Sequence, residues 1–257
     1  MALTSIKQEL EQAADTKRAE NNKWFFKTGP GEYGEGDEFI GLTVPATRSV
    51  AKKYALLPFG DIEELLQSRV HEFRLCGLLI LVNRFEKFPD ERQKIYEFYL
   101  NHTSRINNWD LVDLSSHAIV GEYLQDKQRK KLYELARSRN LWERRIAVVS
   151  TAAFINRHQF ADTLAITEIL LGDEHDLMHK ACGWMLREVG KRNKTVLETF
   201  LKKHAAVMPR TMLRYAIERF RKPERKHWMD VKKGRETIKA PEAFSRKSAL
   251  FERVRKR

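Results

Sequence analysis

Four segments of this 257-residue chain share a pattern: "HEFRLCGLLIL", "LWERRIAVVST", "LMHKACGWMLR" and "PRTMLRYAIERF". Each sets a basic residue just ahead of a small, apolar helix core. These residues are Arg74, Arg145, Lys180 and Arg214. The step from 74 to 145 is about twice the others, and Trp109 falls near its middle. The ladder 74, 109, 145, 180, 214 therefore advances by 35, 36, 35 and 34 residues. A period of that size, with two helices per unit, describes a helical solenoid whose units bury their apolar faces against their neighbours. The tetratricopeptide signature is not visible, which leaves a HEAT-like repeat. The expected fold class is all-α, a HEAT-like helical-repeat solenoid.

The rest of the sequence agrees with that class. "VPATRSVAKKYALL" opens with Pro45, which suits a helix start. "DIEELLQSRVHEFRLCGLLILVNRF" reads as two helices, and "DERQKIYEFYLNH" and "RKKLYELARSR" are amphipathic at helical spacing. Alternating strand patterns are absent. The glycine-dense stretch "GPGEYGEG" (29–36) reads as a connecting loop. As a nucleotide loop it would need a preceding strand, and Glu32 and Glu35 would repel phosphate. The two cysteines, Cys76 and Cys182, lie in apolar runs without a CxxC spacing and read as reduced core thiols. No signal peptide is visible, and "LCGLLILV" is too short to span a bilayer. The expected location is the cytoplasm, on the nucleoid in a bacterium, with no membrane contact.

Net charge is +13, which favours polyanionic partners. Its distribution matters more than its size. Residues 221–257 hold 14 Lys or Arg against 5 Asp or Glu and are broken by Pro223, Gly234 and Pro241. The expected organisation is a repeat domain over 1–220 and a basic, partly ordered extension over 221–257. Much non-specific affinity for polyphosphate would then come from the extension.

In a solenoid one helix layer lines a concave surface, and equivalent positions of successive repeats align along it. Arg74, Arg145, Lys180 and Arg214 are thus expected in one row, suited to a row of phosphates, with Trp109 as its interruption. The alternative is that each cation snorkels or caps within its own repeat. A metal site is not expected: His175 and His179 are spaced i, i+4 in "DEHDLMHK", but no third ligand is marked. Hydrolytic triads lack a local signature. What remains is "NNWDLVD" and "HKACGWMLREVGKR". Trp109 stands i, i+4 to Asp113, and Trp184 stands i, i+3 to Arg187. Two indoles with a carboxylate between basic rows suit a sugar-phosphate strand carrying a cationic base. The plainer reading is two core tryptophans and a helix cap at Asn108 or Asp110.

At these residues the chain resembles the DNA alkylation repair family of HEAT-like-repeat DNA glycosylases. "NNWDLVD", "LWERRIAVVS", "HKACGWMLREVGK" and "FIGLTVPATRSVAKK" carry the resemblance, in this order, from about residue 5 to about residue 220. It implies a C-shaped solenoid whose concave face holds duplex DNA. It also implies hydrolysis of the N-glycosidic bond of cationic alkylated purines of the N3-methyladenine and N7-methylguanine type, without insertion of the base into a pocket. By motif match Asp113 would stabilise the oxocarbenium-like sugar and position water. Trp109 and Trp184 would pack on the deoxyribose. Arg145 and Arg187 would hold phosphates, and Arg48, following Thr43 and Pro45, would contact the backbone.

Active members carry an extra N-terminal helix with an aromatic residue that closes over the DNA. Here "NNKWFFKTGPGEYGEGDEF" stands in its place, which resembles a subfamily lacking that helix. The implied protein is a monomer acting on double-stranded, alkylated DNA with no cofactor. Two other functions fit the same pattern: a non-catalytic binder of damaged or branched DNA, and a HEAT-type protein-interaction scaffold.

Overall fold

The computed structural model describes residues 2–231. The helices in chain order are α1 (Ala2–Gln12), α2 (Thr16–Phe25), α3 (Val44–Lys53), α4 (Phe59–Gln67), α5 (His71–Lys87), α6 (Arg92–Asn101), α7 (Trp109–Asp113) and α8 (Lys130–Leu135). There follow α9 (Leu141–Ser150), α10 (Ala152–Ile155), α11 (Ala161–Ile169), α12 (Asp176–Arg192), α13 (Lys194–His204), α14 (Arg210–Ala216) and α15 (Lys222–Asp230). A π-helical turn, His117–Gly121, follows α7. Strand pairing among the described residues is limited to one isolated bridge, Glu38 to Val70.

The helices form two layers. α3, α5, α7, α9, α12 and α14 pack one on the next in that order. α4, α8, α11 and α13 lie behind them and pack chiefly on this first set, while α6 packs chiefly on the π-helical turn. The unbroken run of contacts along the first set makes it a continuous layer of the solenoid. The core follows the seam between layers. α5 is buried along His71 to Asn83 because it has helices on several sides. α12 crosses α14 closely, so that a Cβ at Gly183 would stand 2.5 Å from the Met212 carbonyl oxygen. Only glycine admits that approach.

The helix starts fix the true register of the repeat. The residues capping the inner helices are Thr43, Val70, Asn108, Asn140, His175 and Pro209. Five residues beyond each cap stand Arg48, Leu75, Asp113, Arg145, Lys180 and Arg214. The aligned row therefore contains Asp113, not Trp109, which lies one turn earlier on α7.

Arg74 falls outside the row, and its true counterpart is Arg144. Both belong to a shared segment, "SRVHEFR" and "SRNLWER". Arg74 donates to the Ser68 and Arg69 carbonyls at 2.9 and 3.0 Å. Arg144 donates to those of Ser138 and Arg139 at 3.1 and 3.0 Å. Each also meets an aspartate, Asp37 at 2.7 Å and Asp173 at 2.6 Å. Arg74 is 1% exposed. It is a strut between turns, so the expectation that it faces phosphate fails on burial and on occupancy.

The chain past Phe220 begins with a helix. In α15, Trp228 is buried and Glu224 closes the first turn onto the Arg221 amide at 2.9 Å. The rest of the expected basic extension, residues 232–257, lies outside the described residues. No helix among those described is long and apolar enough to cross a membrane.

Candidate active site

α7 starts where Asn108 accepts the Trp109 amide at 2.8 Å. That cap frees Asp110 for another task. Its carboxylate accepts from the Leu111 amide and from His71 Nε2, both at 2.8 Å. His71 Nδ1 faces Asp37 Oδ2 at 3.4 Å, and Arg74 reaches the other oxygen of Asp37. Burial alone would depress the His71 pKa, but Asp110 and Asp37 outweigh it and hold it up at about 9. The imidazole is therefore a cation at neutral pH, donating from both nitrogens. Burial also opposes ionisation of Asp37, yet the His71 hydrogen bond and the Arg74 charge keep its pKa low.

This buried network fastens the α2–α3 loop to α5 and α7. The His71 amide donates to the Glu38 carbonyl at 2.8 Å, and Glu72 accepts the Ile40 and Gly41 amides at 3.1 and 2.8 Å. Rings cover the ion pairs. Phe39 stacks on His71 at 4.7 Å, Phe26 on Phe39 at 5.0 Å, and Trp109 on Phe26 at 5.2 Å. One indole face of Trp109 is thus occupied from within.

The glycine-rich loop is more than a connection. Glu32 and Glu35 turn back to accept the Gly29 and Gly31 amides, each at 2.9 Å. Glu38 pairs with Arg69 at 3.2 Å. Glu32 and Glu35 thereby shape the loop's own fold. The loop carries Tyr33 edge-on to Trp142 at 5.8 Å, with its phenol against the Trp109 indole. Sequence reading missed Tyr33. Its signal was a lone aromatic within "GPGEYGEG".

Asp113 sits one turn past Trp109. Arg145 binds it in a two-pronged fork, Nε to Oδ1 at 2.9 Å and Nη2 to Oδ2 at 2.8 Å. The remaining Nη1 donates to the Leu177 carbonyl at 2.7 Å. Arg145 is therefore buried and committed, so it serves Asp113 before any phosphate. Burial raises the Asp113 pKa, and the Arg145 charge opposes that rise without cancelling it. Such a carboxylate is poorly hydrated and rigidly held, with Arg145 as its countercharge.

The other expected residues are placed as follows. Trp184 is half-buried on α12, one turn beyond Lys180, whereas Trp109 lies one turn before Asp113. Lys180 pairs with Asp176 at 2.7 Å, and Arg187 pairs with Glu218. Arg214 is exposed, with Thr211 Oγ1 at 3.3 Å. Arg48 is half-buried, and Thr43 caps α3 by accepting the Ala46 amide. His175 and His179 have structural work: His175 accepts the Leu177 amide and His179 meets the Asp173 carbonyl. Among the described residues no group of three or more metal-ligating side chains occurs.

The family model for DNA alkylation repair enzymes matches residues 6–220. The chain belongs to the DNA alkylation repair enzyme family. Membership supports a role in DNA repair, with DNA as the partner. A solved structure of a predicted DNA alkylation repair enzyme from Enterococcus faecalis aligns with a TM-score of 0.63 at 17% identity. The alignment covers 81% of this chain and 97% of that one, and it establishes the shared all-α helical-repeat fold. No curated protein matches the sequence. In this family member the segment expected to replace an N-terminal helix is itself helical through Phe25, and it leaves Trp24 and Phe25 exposed.

Proposed function

We propose that this protein is a DNA glycosylase that hydrolyses the N-glycosidic bond of cationic alkylated purines in duplex DNA. One observation carries the reading. Asp113 is the only acid in the row Arg48, Leu75, Asp113, Arg145, Lys180 and Arg214, and it is desolvated and gripped by Arg145.

The chemistry needs little more. An alkylated purine already bears a positive charge, so the C1′–N bond breaks with its electron pair moving into the ring. The base departs neutral and needs no acid. The sugar is left with oxocarbenium character, and a fixed carboxylate stabilises that charge far better than water can. Water adds at C1′ and gives up one proton to solvent. Arg145 favours the charged form of Asp113 and aligns it, while Lys180, Arg187, Arg214 and Arg48, with Thr43, supply cations and a hydroxyl for the strand. Trp109 and Trp184 border the sugar.

A second reading is a non-catalytic binder of damaged DNA. Its support is that both Asp113 oxygens already accept from Arg145. Incubation with duplex DNA carrying N7-methylguanine separates the two. Release of free base above the spontaneous rate is expected. Tight binding without release selects the binder.

A further inference from the structure

A cleft of about 460 Å³ opens at the C-terminal ends of α3 and α5. Lys52 and Lys53 lie in the last turn of α3, and Lys87 lies in that of α5. Among the described residues these three lysines line the cleft and no carboxylate does. Lys53 is committed, since Glu9 accepts from its Nζ at 2.6 Å. Lys52 and Lys87 are exposed and form no ion pair among the described residues. Apart from Tyr54, the rest of the lining is apolar and includes Leu56, Pro58 and Phe88. Leu56 is 73% exposed. A single exposed leucine is ordinary, but this one borders a recess that three lysines line. The recess is preformed: Leu57 is buried, its amide donates to the Tyr54 carbonyl at 3.0 Å, and its carbonyl accepts from Arg84 Nη1 at 2.9 Å.

Lysines in a helix's last turn offset its dipole, which accounts for their position but not for the apolar cleft they share. Unpaired lysines beside apolar surface complement a ligand that carries both carboxylates and an apolar side chain. Duplex DNA presents phosphates but keeps its apolar base faces stacked inside. The chain's own residues 232–257 hold 10 Lys or Arg against 3 Asp or Glu, so their charge opposes the lysines. At about 1.5 Å per helical residue, Lys87 stands about 18 Å along α5 from Leu75 of the inner row, so an occupant here leaves Asp113 accessible. We propose that this cleft docks an acidic segment of a partner protein, one in which consecutive carboxylates precede an apolar residue. Lys52 and Lys87 pair with the carboxylates, and Leu56, Pro58 and Phe88 receive the apolar side chain. Docking here is independent of the glycosylase chemistry and brings the protein to a partner rather than to a lesion.

The test is fluorescence anisotropy of the intact protein with a labelled synthetic peptide of four aspartates followed by leucine and a C-terminal phenylalanine. A control peptide ends in two serines instead. The apolar-ended peptide should bind about tenfold tighter than the control, the size expected on burying one large apolar side chain in part. Lys52→Glu with Lys87→Glu, and separately Leu56→Asp, should each weaken its binding by about tenfold or more. Lys202→Glu with Lys203→Glu on α13 makes the same change in net charge and should leave binding nearly unchanged. All five side chains are exposed, so these substitutions leave the fold intact. Equal affinity for the two peptides, or an equal loss in the α13 variant, overturns the proposal in favour of unspecific charge attraction. Displacement of the peptide by unmodified duplex DNA also overturns it and assigns the lysines to DNA. Vesicles of phosphatidylglycerol that displace the peptide overturn it in favour of a membrane surface. A dimer in sedimentation that Leu56→Asp dissolves overturns it in favour of a second copy of this chain.

Discussion

Alkaline pH should loosen the N-terminal segment through His71. The imidazolium is sealed between Asp110 and Asp37, with Arg74 nearby and Phe26 and Phe39 against its ring. A rise from 6.5 to about 9 corresponds to roughly 3 kcal/mol, at about 1.36 kcal/mol per unit. The low pKa of Asp37 is the other half of the same interaction and is not added. Because the folded value lies above the unfolded one, this stabilisation is complete below about pH 6.5 and disappears as pH rises through about 9. Urea unfolding of wild type and His71→Gln, from about pH 6 to about pH 10, isolates it from other titrations. The difference in unfolding free energy should shrink by roughly 3 kcal/mol across that range. A difference that stays constant would refute a charged His71.

Other consequences follow from the ion pairs. Asp176→Asn with Glu218→Gln should unmask Lys180 and Arg187, tighten duplex binding by about two- to fivefold per pair and steepen its salt dependence; unchanged affinity in a salt series would place these cations away from DNA. Arg145→Met strands a buried carboxylate and should cost about 3–5 kcal/mol, while adding Asp113→Asn should recover much of that in denaturant titrations; equal stability of single and double variants would mean the pair is solvated. Ending the chain after Val231 should preserve cooperative melting and retain salt-sensitive duplex binding, because α15 and Trp228 remain. Loss of all binding on that truncation would move the DNA site to the basic extension.

The fold class was legible because a repeat repeats. The interval of about 35 residues, together with the apolar cores after Arg145, Lys180 and Arg214, defined the inner helices. The error was one of register. Arg74 precedes a helix core much as Arg145 does, yet "SRVHEFR" aligns with "SRNLWER", so its partner is Arg144. Sequence alone offered the Asn108 cap but did not show which cation turns back to its own chain. Asp113 was legible as a residue through its motif, but its fork with Arg145 joins α7 to α9 and leaves no local trace. The Asp37–His71–Asp110 network has the same character, since its members are 34 and 39 residues apart. The order of the glycine loop is equally invisible locally, since Tyr33 meets Trp142 across the fold.

The most direct test of the central claim is single-turnover base release from N7-methylguanine duplex DNA by wild type and Asp113→Asn, with duplex affinity measured for both. The account predicts a loss of release of about 10²–10³-fold, the size expected on removing one preorganised electrostatic group, with affinity nearly unchanged. Equal release by the two proteins would contradict it.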